Sequence, residues 1–393
     1  MKKAFVIIPT YNEKENVVKV IAVLNDAFKK VQGWQMGILV VDDTSPDKTY
    51  EVVEELRKTH KHLSLLINKQ KAGLGAAYLK GMEYAFNTLG ADVIIEFDAD
   101  LSHDSTKIPQ MLAKIDEGYD LVLGSRYVKG GGIPDDWGLH RKLLSVVGNM
   151  VVMTILTNFT IHDWTAGYRA LTKEVYTAVE PEMHGEQFSG YTFQVGFLHK
   201  AVTKGFKIAE VPYKFVDRQI GYSKIGPEYI ENLLKYLFQA RFQEIIGSRI
   251  FKFAVVGGIG ASIQLSSLFV LYRLAQLPYQ LAFFLAIEIA VASNFAVNNA
   301  WTFSDRKLEL SELPSSFLKF NLASAGSILI QQALALFGQF VIGLFTLFTL
   351  PIIGIGITTG MLYAVIGILL GMFWNFFAYN AFIWKKQPAV KTA

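Results

Sequence analysis

From Phe320 to Trp384 the chain runs for 65 residues without one Asp, Glu, Lys or Arg. A surface facing water needs charge; one facing lipid excludes it. About 20 apolar residues carry a helix across a bilayer, so this stretch holds two spans with a turn near Pro351, Gly354 and Gly356. Phe253–Tyr272, bracketed by Lys252 and Arg273, gives another span, and Tyr279–Phe303, broken only by Glu288, a fourth. A buried helical core is the alternative, and uncharged runs of this length speak against it.

Four spans bring the chain back to the side it left. Arg241, Arg249, Lys252, Arg306, Lys307, Lys319, Lys385 and Lys386 fall on that side and Arg273 on the other, which makes the basic side cytoplasmic. Trp301 and Trp384 are expected at the membrane interfaces. From Gly247 onward nine Lys/Arg face four Asp/Glu, so the net charge of +4 belongs to the apolar part. The preceding residues are nearly balanced and give nucleic acid no electrostatic footprint. With no cysteine, disulfide scaffolds, thiolate metal sites and cysteine nucleophiles are excluded.

Before the spans the texture is that of an α/β domain. Met1-Lys2-Lys3 followed by Ala4–Pro9 is too short for a signal peptide and reads as a buried strand. Further apolar runs follow at Ile38–Val41, Leu63–Ile67, Val93–Phe97 and Leu121–Leu123, with helical stretches near 13–31, 47–60, 74–89 and 106–117. Continuously apolar strands alternating with helices describe a mostly parallel sheet covered on both faces. The expected organisation is a Rossmann-like α/β domain over 1–226, amphipathic interfacial helices over 227–248, and an all-α membrane domain with four spans over 249–386. For Pro227–Ile246, packing on the soluble domain is an equal alternative.

Such sheets bind ligands outside the carboxyl ends of their strands, and the polar clusters stand there. The first strand ends in Pro9-Thr10-Tyr11-Asn12-Glu13, the second in Asp42-Asp43-Thr44-Ser45-Pro46-Asp47, the fourth in Asp98-Ala99-Asp100, the fifth in Gly124-Ser125-Arg126. Each alone has a capping role as alternative; together they describe one site. On a strand, Asp98 and Asp100 would point to one side, and two carboxylates so placed call for a cation, Mg²⁺ or Mn²⁺ held together with substrate phosphates. Asp42 and Asp43 stand where a ribose or base would meet the second strand. Ala72-Gly73-Leu74-Gly75 reads as a tight strand–helix turn rather than a phosphate cradle.

These residues resemble a known family. Val6–Glu13 and Val41–Asp47 are similar to the opening motifs of family 2 inverting glycosyltransferases of the GT-A fold. Asp98-Ala99-Asp100-Leu101-Ser102-His103, Gly124-Ser125-Arg126-Tyr127, Asp163–Arg169, Gly190–Gln194 and Phe215-Val216-Asp217-Arg218 with Gly221-Tyr222-Ser223-Lys224 resemble polyprenol (dolichol) phosphate mannose synthases. The run Asn294–Phe303 is similar to the signature of GtrA-like four-helix domains, with Asn299 where Arg is usual.

The resemblance implies transfer of mannose from GDP-mannose to a polyprenyl (dolichyl) phosphate, with inversion and retention of the lipid in the bilayer. It implies that Pro9, Tyr11, Glu13, Val41, Asp43, Asp98, Ala99, Asp100, Ser102, Arg126, Arg218 and Lys224 hold the donor. Asp98, Asp100 and Ser102, where many members carry Gln, would hold the metal, and Arg126, Arg141 and Ser145 the acceptor phosphate. Asp98, Asp100 and Arg126 carry the catalytic assignment. Asp163 and Arg169 are read either as an ion pair or as lining of the sugar pocket. Leu143–Phe159 is expected to guide the acceptor at the interface, a buried core helix being the alternative. A polyprenyl-phosphate glucosyltransferase using UDP-glucose, and a lipid-linked sugar flippase, are the competing functions.

Overall fold

A strand with apolar side chains on both faces needs cover on both sides. The computed structural model describes residues 1–69, 73–185, 188, 191–217, 227–349 and 356–385, in two units, Met1–Arg241 and Phe242–Ala393. In the first unit the chain runs β1 (Lys2–Thr10), α1 (Lys14–Phe28), β2 (Trp34–Asp42), α2 (Thr49–Arg57), β3 (Leu63–Ile67) and α3 (Leu74–Asn87). It continues through β4 (Val93–Glu96), α4 (Ile108–Asp116), β5 (Leu121–Ser125), α5 (Leu139–Ile155), β6 (Arg169–Thr172), α6 (Lys173–Val179), α7 (Tyr191–Thr203), β7 (Ile208–Pro212) and α8 (Pro227–Gly247).

Alternation along the central strands feeds two cores. Ile7, Leu39 and Val41 face α3, α6 and α7, whereas Val6, Ile8, Ile38 and Val40 face α1, α2 and α4. The strand order is β3-β2-β1-β4-β6-β5-β7. It reverses between β1 and β4, the switch point at which open α/β sheets open a crevice. All five strands expected from sequence are present.

One strand departs from the expected parallel arrangement. β6 runs antiparallel between β4 and β5. Its four residues, Arg-Ala-Leu-Thr, form no apolar run that stands out in sequence. Its direction has a consequence for the site: the segment before Arg169 enters at the same sheet edge where β4 and β5 leave.

The helix expected over Leu143–Phe159 is α5, exposed along its first half and packed on the core through Val152, Met153, Ile155 and Leu156 at its end. Leu139, Leu143, Leu144, Val147 and Met150 are exposed, while Asn149 and Val152 are the buried positions. α8 packs one face on the soluble domain, one of the two readings offered for it. Leu233, Tyr236 and Leu237 pack on the core beneath α3 and α7, and Ile230, Phe238, Phe242 and Ile245 are exposed.

The second unit contains α9 (Arg249–Phe269), α10 (Tyr279–Val297), α11 (Leu313–Phe337), a hairpin of β8 (Thr346–Thr349) and β9 (Gly356–Thr358), and α12 (Thr359–Phe382). Among the described residues three segments are long and apolar enough to cross a membrane: Arg249–Leu274, Leu310–Ile342 and Val365–Phe382. Of the turn expected near Pro351, Gly354 and Gly356, Pro351 and Gly354 lie outside the described residues. Small residues bring α11 and α12 together. A β-carbon at Gly326 would sit 2.4 Å from Trp374, and one at Gly338 2.5 Å from Tyr363. Trp384 is buried: it stacks on Phe303 at 4.4 Å and donates its indole N–H to Asn299 Oδ1 at 3.0 Å. Asn299, standing where the resembled family has Arg, also accepts from the Leu308 N–H at 2.9 Å.

Candidate active site

Three strand ends carry residues in the left-handed backbone region. Asn12 (φ 58°), Thr44 (φ 51°) and Leu101 (φ 64°) stand just beyond β1, β2 and β4. A β-branched Thr or a Leu in that region costs energy, so the surrounding hydrogen bonds must hold these turns. Asp42 accepts from Thr10 Oγ1 (2.8 Å), the Ser45 N–H (2.8 Å) and Ser45 Oγ (2.7 Å), and is fully buried. Asp42 is thus the structural member of the acidic pair. Asp43 accepts from Asn68 Nδ2 at 2.6 Å and from the Gly73 N–H at 3.2 Å. Gly73 has φ 85° and precedes α3, as the turn reading required; Ala72 lies outside the described residues.

β4 ends at Glu96, so Asp98 and Asp100 occupy the turn beyond it rather than alternate positions of a strand. The period-two argument therefore does not place them; hydrogen bonds do. Tyr78, buried in α3, donates its hydroxyl to Asp98 Oδ1 at 2.9 Å. The Asp98 N–H donates to His103 Nδ1 at 3.1 Å, leaving the proton of a neutral imidazole on Nε2, 3.7 Å from Asp98 Oδ2. Burial lowers the His103 pKa against the pull of Asp98 and Asp100. Asp100 Oδ1 accepts from the Ser102 N–H at 3.1 Å and Ser102 Oγ at 2.6 Å. Ser102 is buried and turned onto Asp100, so its hydroxyl orients this carboxylate.

Among the described residues no three His, Asp or Glu side chains converge as a complete metal cage. Two carboxylates on one short turn fit a hard divalent ion that takes its remaining oxygens from phosphate and water. The side chains of Val41 and Ala99 are buried in the two cores, which leaves their main chain to border a ligand. Pro9, Tyr11 and Glu13 are half-buried at the β1 edge. Arg218 and Lys224 lie outside the described residues.

Asp163 and Arg169 do not pair with each other. Arg169 pairs across the β4–β6 ladder with Glu96, Nη2 to Oε2 at 2.7 Å and Nε to Oε2 at 3.0 Å, both side chains fully buried. Burial pushes the Glu96 carboxyl upward and Arg169 pulls it back. Asp163 pairs with Arg126 through Nε at 2.8 Å and Nη2 at 2.7 Å, and also accepts the Arg126 N–H at 3.0 Å. Burial opposes the Arg126 charge, and Asp163 outweighs it, raising the guanidinium above its ordinary value.

Arg126, Arg141 and Ser145 are brought together by aromatic connectors. Arg126 stands 5.2 Å from the Tyr127 ring and 5.9 Å from that of Phe215. Phe215 packs edge-on against Trp137 at 5.6 Å, and Arg141 lies 3.9 Å over Trp137. The Tyr127 hydroxyl meets Ser145 Oγ at 2.6 Å. Tyr78, Trp137, Phe215 and Tyr127 were not assigned roles from sequence. An aromatic residue in a helix or loop reads as packing until its neighbours are known.

Both parts of the chain are similar to known proteins. Residues 5–178 match glycosyl transferase family 2, and residues 252–384 match the GtrA/DPMS transmembrane domain. The dolichol-phosphate mannosyltransferase of Pyrococcus furiosus is 35% identical over 325 residues, 82% of this chain and 86% of that one. The polyprenol monophosphomannose synthase of Mycolicibacterium smegmatis is 37% identical over 234 residues, 59% of this chain and 84% of that one. The undecaprenyl-phosphate mannosyltransferase of Micrococcus luteus is 34% identical over 245 residues, 61% and 96% respectively.

Proposed function

This chain is a glycosyltransferase that belongs to the polyprenol (dolichol) phosphate mannosyltransferases of family 2, and we propose that it moves mannose from GDP-mannose to a membrane polyprenyl phosphate with inversion. The observation that carries this reading is the extent of the Pyrococcus furiosus match. At 325 residues it is longer than the whole first unit, so it runs into the membrane domain as well. A lipid acceptor is the substrate that needs both parts.

On this reading the diphosphate of the donor lies over Asp98 and Asp100, which hold the divalent ion with Ser102 orienting Asp100. When bound, Mg²⁺ or Mn²⁺ neutralises charge on the leaving group. Asp43, Pro9, Tyr11 and Glu13 border the nucleoside. A phosphate monoester is ionised at neutral pH, so the acceptor oxygen attacks the sugar carbon without a general base. What the protein supplies is orientation: Arg141 and Ser145 grip the phosphate, and Arg126 fixes the loop that carries it. Attack opposite to the leaving diphosphate gives a β-linked mannosyl phosphate lipid.

The test is a radiolabelled transfer assay on the purified full chain with a polyprenyl phosphate and either GDP-mannose or UDP-glucose. Label is expected in the lipid phase from GDP-mannose, to vanish in Asp100→Ala, and to vanish in excess EDTA. Transfer from UDP-glucose alone, or full turnover in EDTA, overturns the donor or the metal assignment respectively.

A further inference from the structure

The two arginines of the aromatic ladder are held in opposite ways. The Arg126–Asp163 pair is closed to solvent, with side-chain exposures of 10% and 0%. The Arg141–Asp217 pair lies at the surface, with exposures of 43% and 32%. Arg141 forks onto the Asp217 carboxylate, Nη1 to Oδ2 and Nη2 to Oδ1 at 3.0 Å. Trp137 Nε1 donates to the same carboxylate at 3.1 Å while its ring lies beneath the guanidinium. Two carboxylate oxygens in a guanidinium fork reproduce the contact that two oxygens of a phosphate make.

We propose that Asp217 is a built-in placeholder for the acceptor phosphate, keeping Arg141 aligned on Trp137 until the phosphate takes its position. This rests on the reading above, in which Arg141 serves the acceptor. The relative strengths favour exchange at this pair and forbid it at the other. The Arg141–Asp217 pair is open to water, which screens it, whereas stripping Asp163 from Arg126 would leave a buried charge without a partner. A phosphate monoester carries more charge than a carboxylate and offers more acceptor oxygens, so it displaces Asp217. A neutral polyprenol has no such charge, and the placeholder thereby selects phosphorylated over unphosphorylated lipid. Asp217 is a positioning residue in this scheme; it touches Arg141, not the reacting atoms.

The test uses the full chain in detergent with saturating GDP-mannose and a varied short-chain polyprenyl monophosphate. Asp217→Asn keeps the shape and gives up the charge. The acceptor KM is expected to fall about two- to five-fold, the range an exposed ion pair spans. Inorganic phosphate should inhibit this variant more strongly by a similar factor. In an Arg141→Ala background, Asp217→Asn should change the acceptor KM no further. Asp217→Ser, which also lacks the charge, should repeat the fall in KM if the Asn variant does not fold. An unchanged or higher acceptor KM in Asp217→Asn, with Arg141→Ala still raising it, overturns the placeholder and leaves the acceptor reading intact. An equal fall in the Arg141→Ala background overturns it too, since the effect would then be charge at a distance. If Arg141→Ala leaves the acceptor KM untouched, the acceptor reading itself fails and takes the placeholder with it.

Discussion

Asp98 and Asp100 were legible because carboxylates two apart after an apolar run are chemically costly without a cation. Their supports were not. Tyr78 stands twenty residues earlier in the middle of a helix, and His103 reads as an ordinary loop histidine. The same holds for the fully buried Glu96–Arg169 pair, where sequence offered Asp163 as the partner of Arg169. Breaking that pair is expected to be costly in a specific way. Arg169→Ala strands a buried carboxylate and should destabilise the protein by about 3–5 kcal/mol. Replacing both partners, Glu96→Gln with Arg169→Met, should lose less than the single change, as read by thermal unfolding in detergent. If the double variant melts no higher than the single one, an unpaired buried charge is not what the single change costs.

Among the elements, the five strands visible in sequence are those with apolar residues on both faces. β6 and β7 escaped because Arg169 and Glu210 break their apolar runs, and β6 follows the polar segment that delivers Asp163 to the site. The α8 helix resisted a single assignment because both of its faces are apolar for different reasons, one packed and one exposed. At the start of β3, His62 contacts Asn25 Oδ1 at 2.6 Å and packs edge-on against Phe28. Burial, and then the neighbouring His60, lower its pKa below 6.5. The unfolded chain then takes up the proton first, so this contribution to stability is present above pH 6.5 and is lost as pH falls through the lower folded value. His62→Gln should flatten the dependence of melting temperature on pH between about 7 and 5. A slope equal to that of the unaltered protein would assign the dependence to other groups.

At the scale of the molecule, the membrane part was the most legible feature, because absence of charge over many residues needs no contact to interpret. The packing of Trp384 was not legible: a tryptophan near a span end does not disclose its partners Asn299 and Phe303. We infer from the one-sided Lys/Arg distribution that both ends of the membrane domain face the cytoplasm. Reporters fused after Lys386 and within Gln276–Pro278 should report opposite sides; the same side for both is incompatible with four spans.

The glycine contacts between α11 and α12 bear on how this part of the chain is made. The two helices touch along small residues, and no Asp, Glu, Lys or Arg stands between Lys319 near the start of α11 and Lys385 beyond α12. Each Lys, Arg or Asp moved through the bilayer centre costs about 2.5–3.5 kcal/mol, and here there is none to move. The pair can therefore leave the translocation machinery for lipid as one preassembled unit, after its second helix has been synthesised. On the four-span topology inferred above, Arg273 between α9 and α10 is carried across with the first pair, and the second pair carries no charge across.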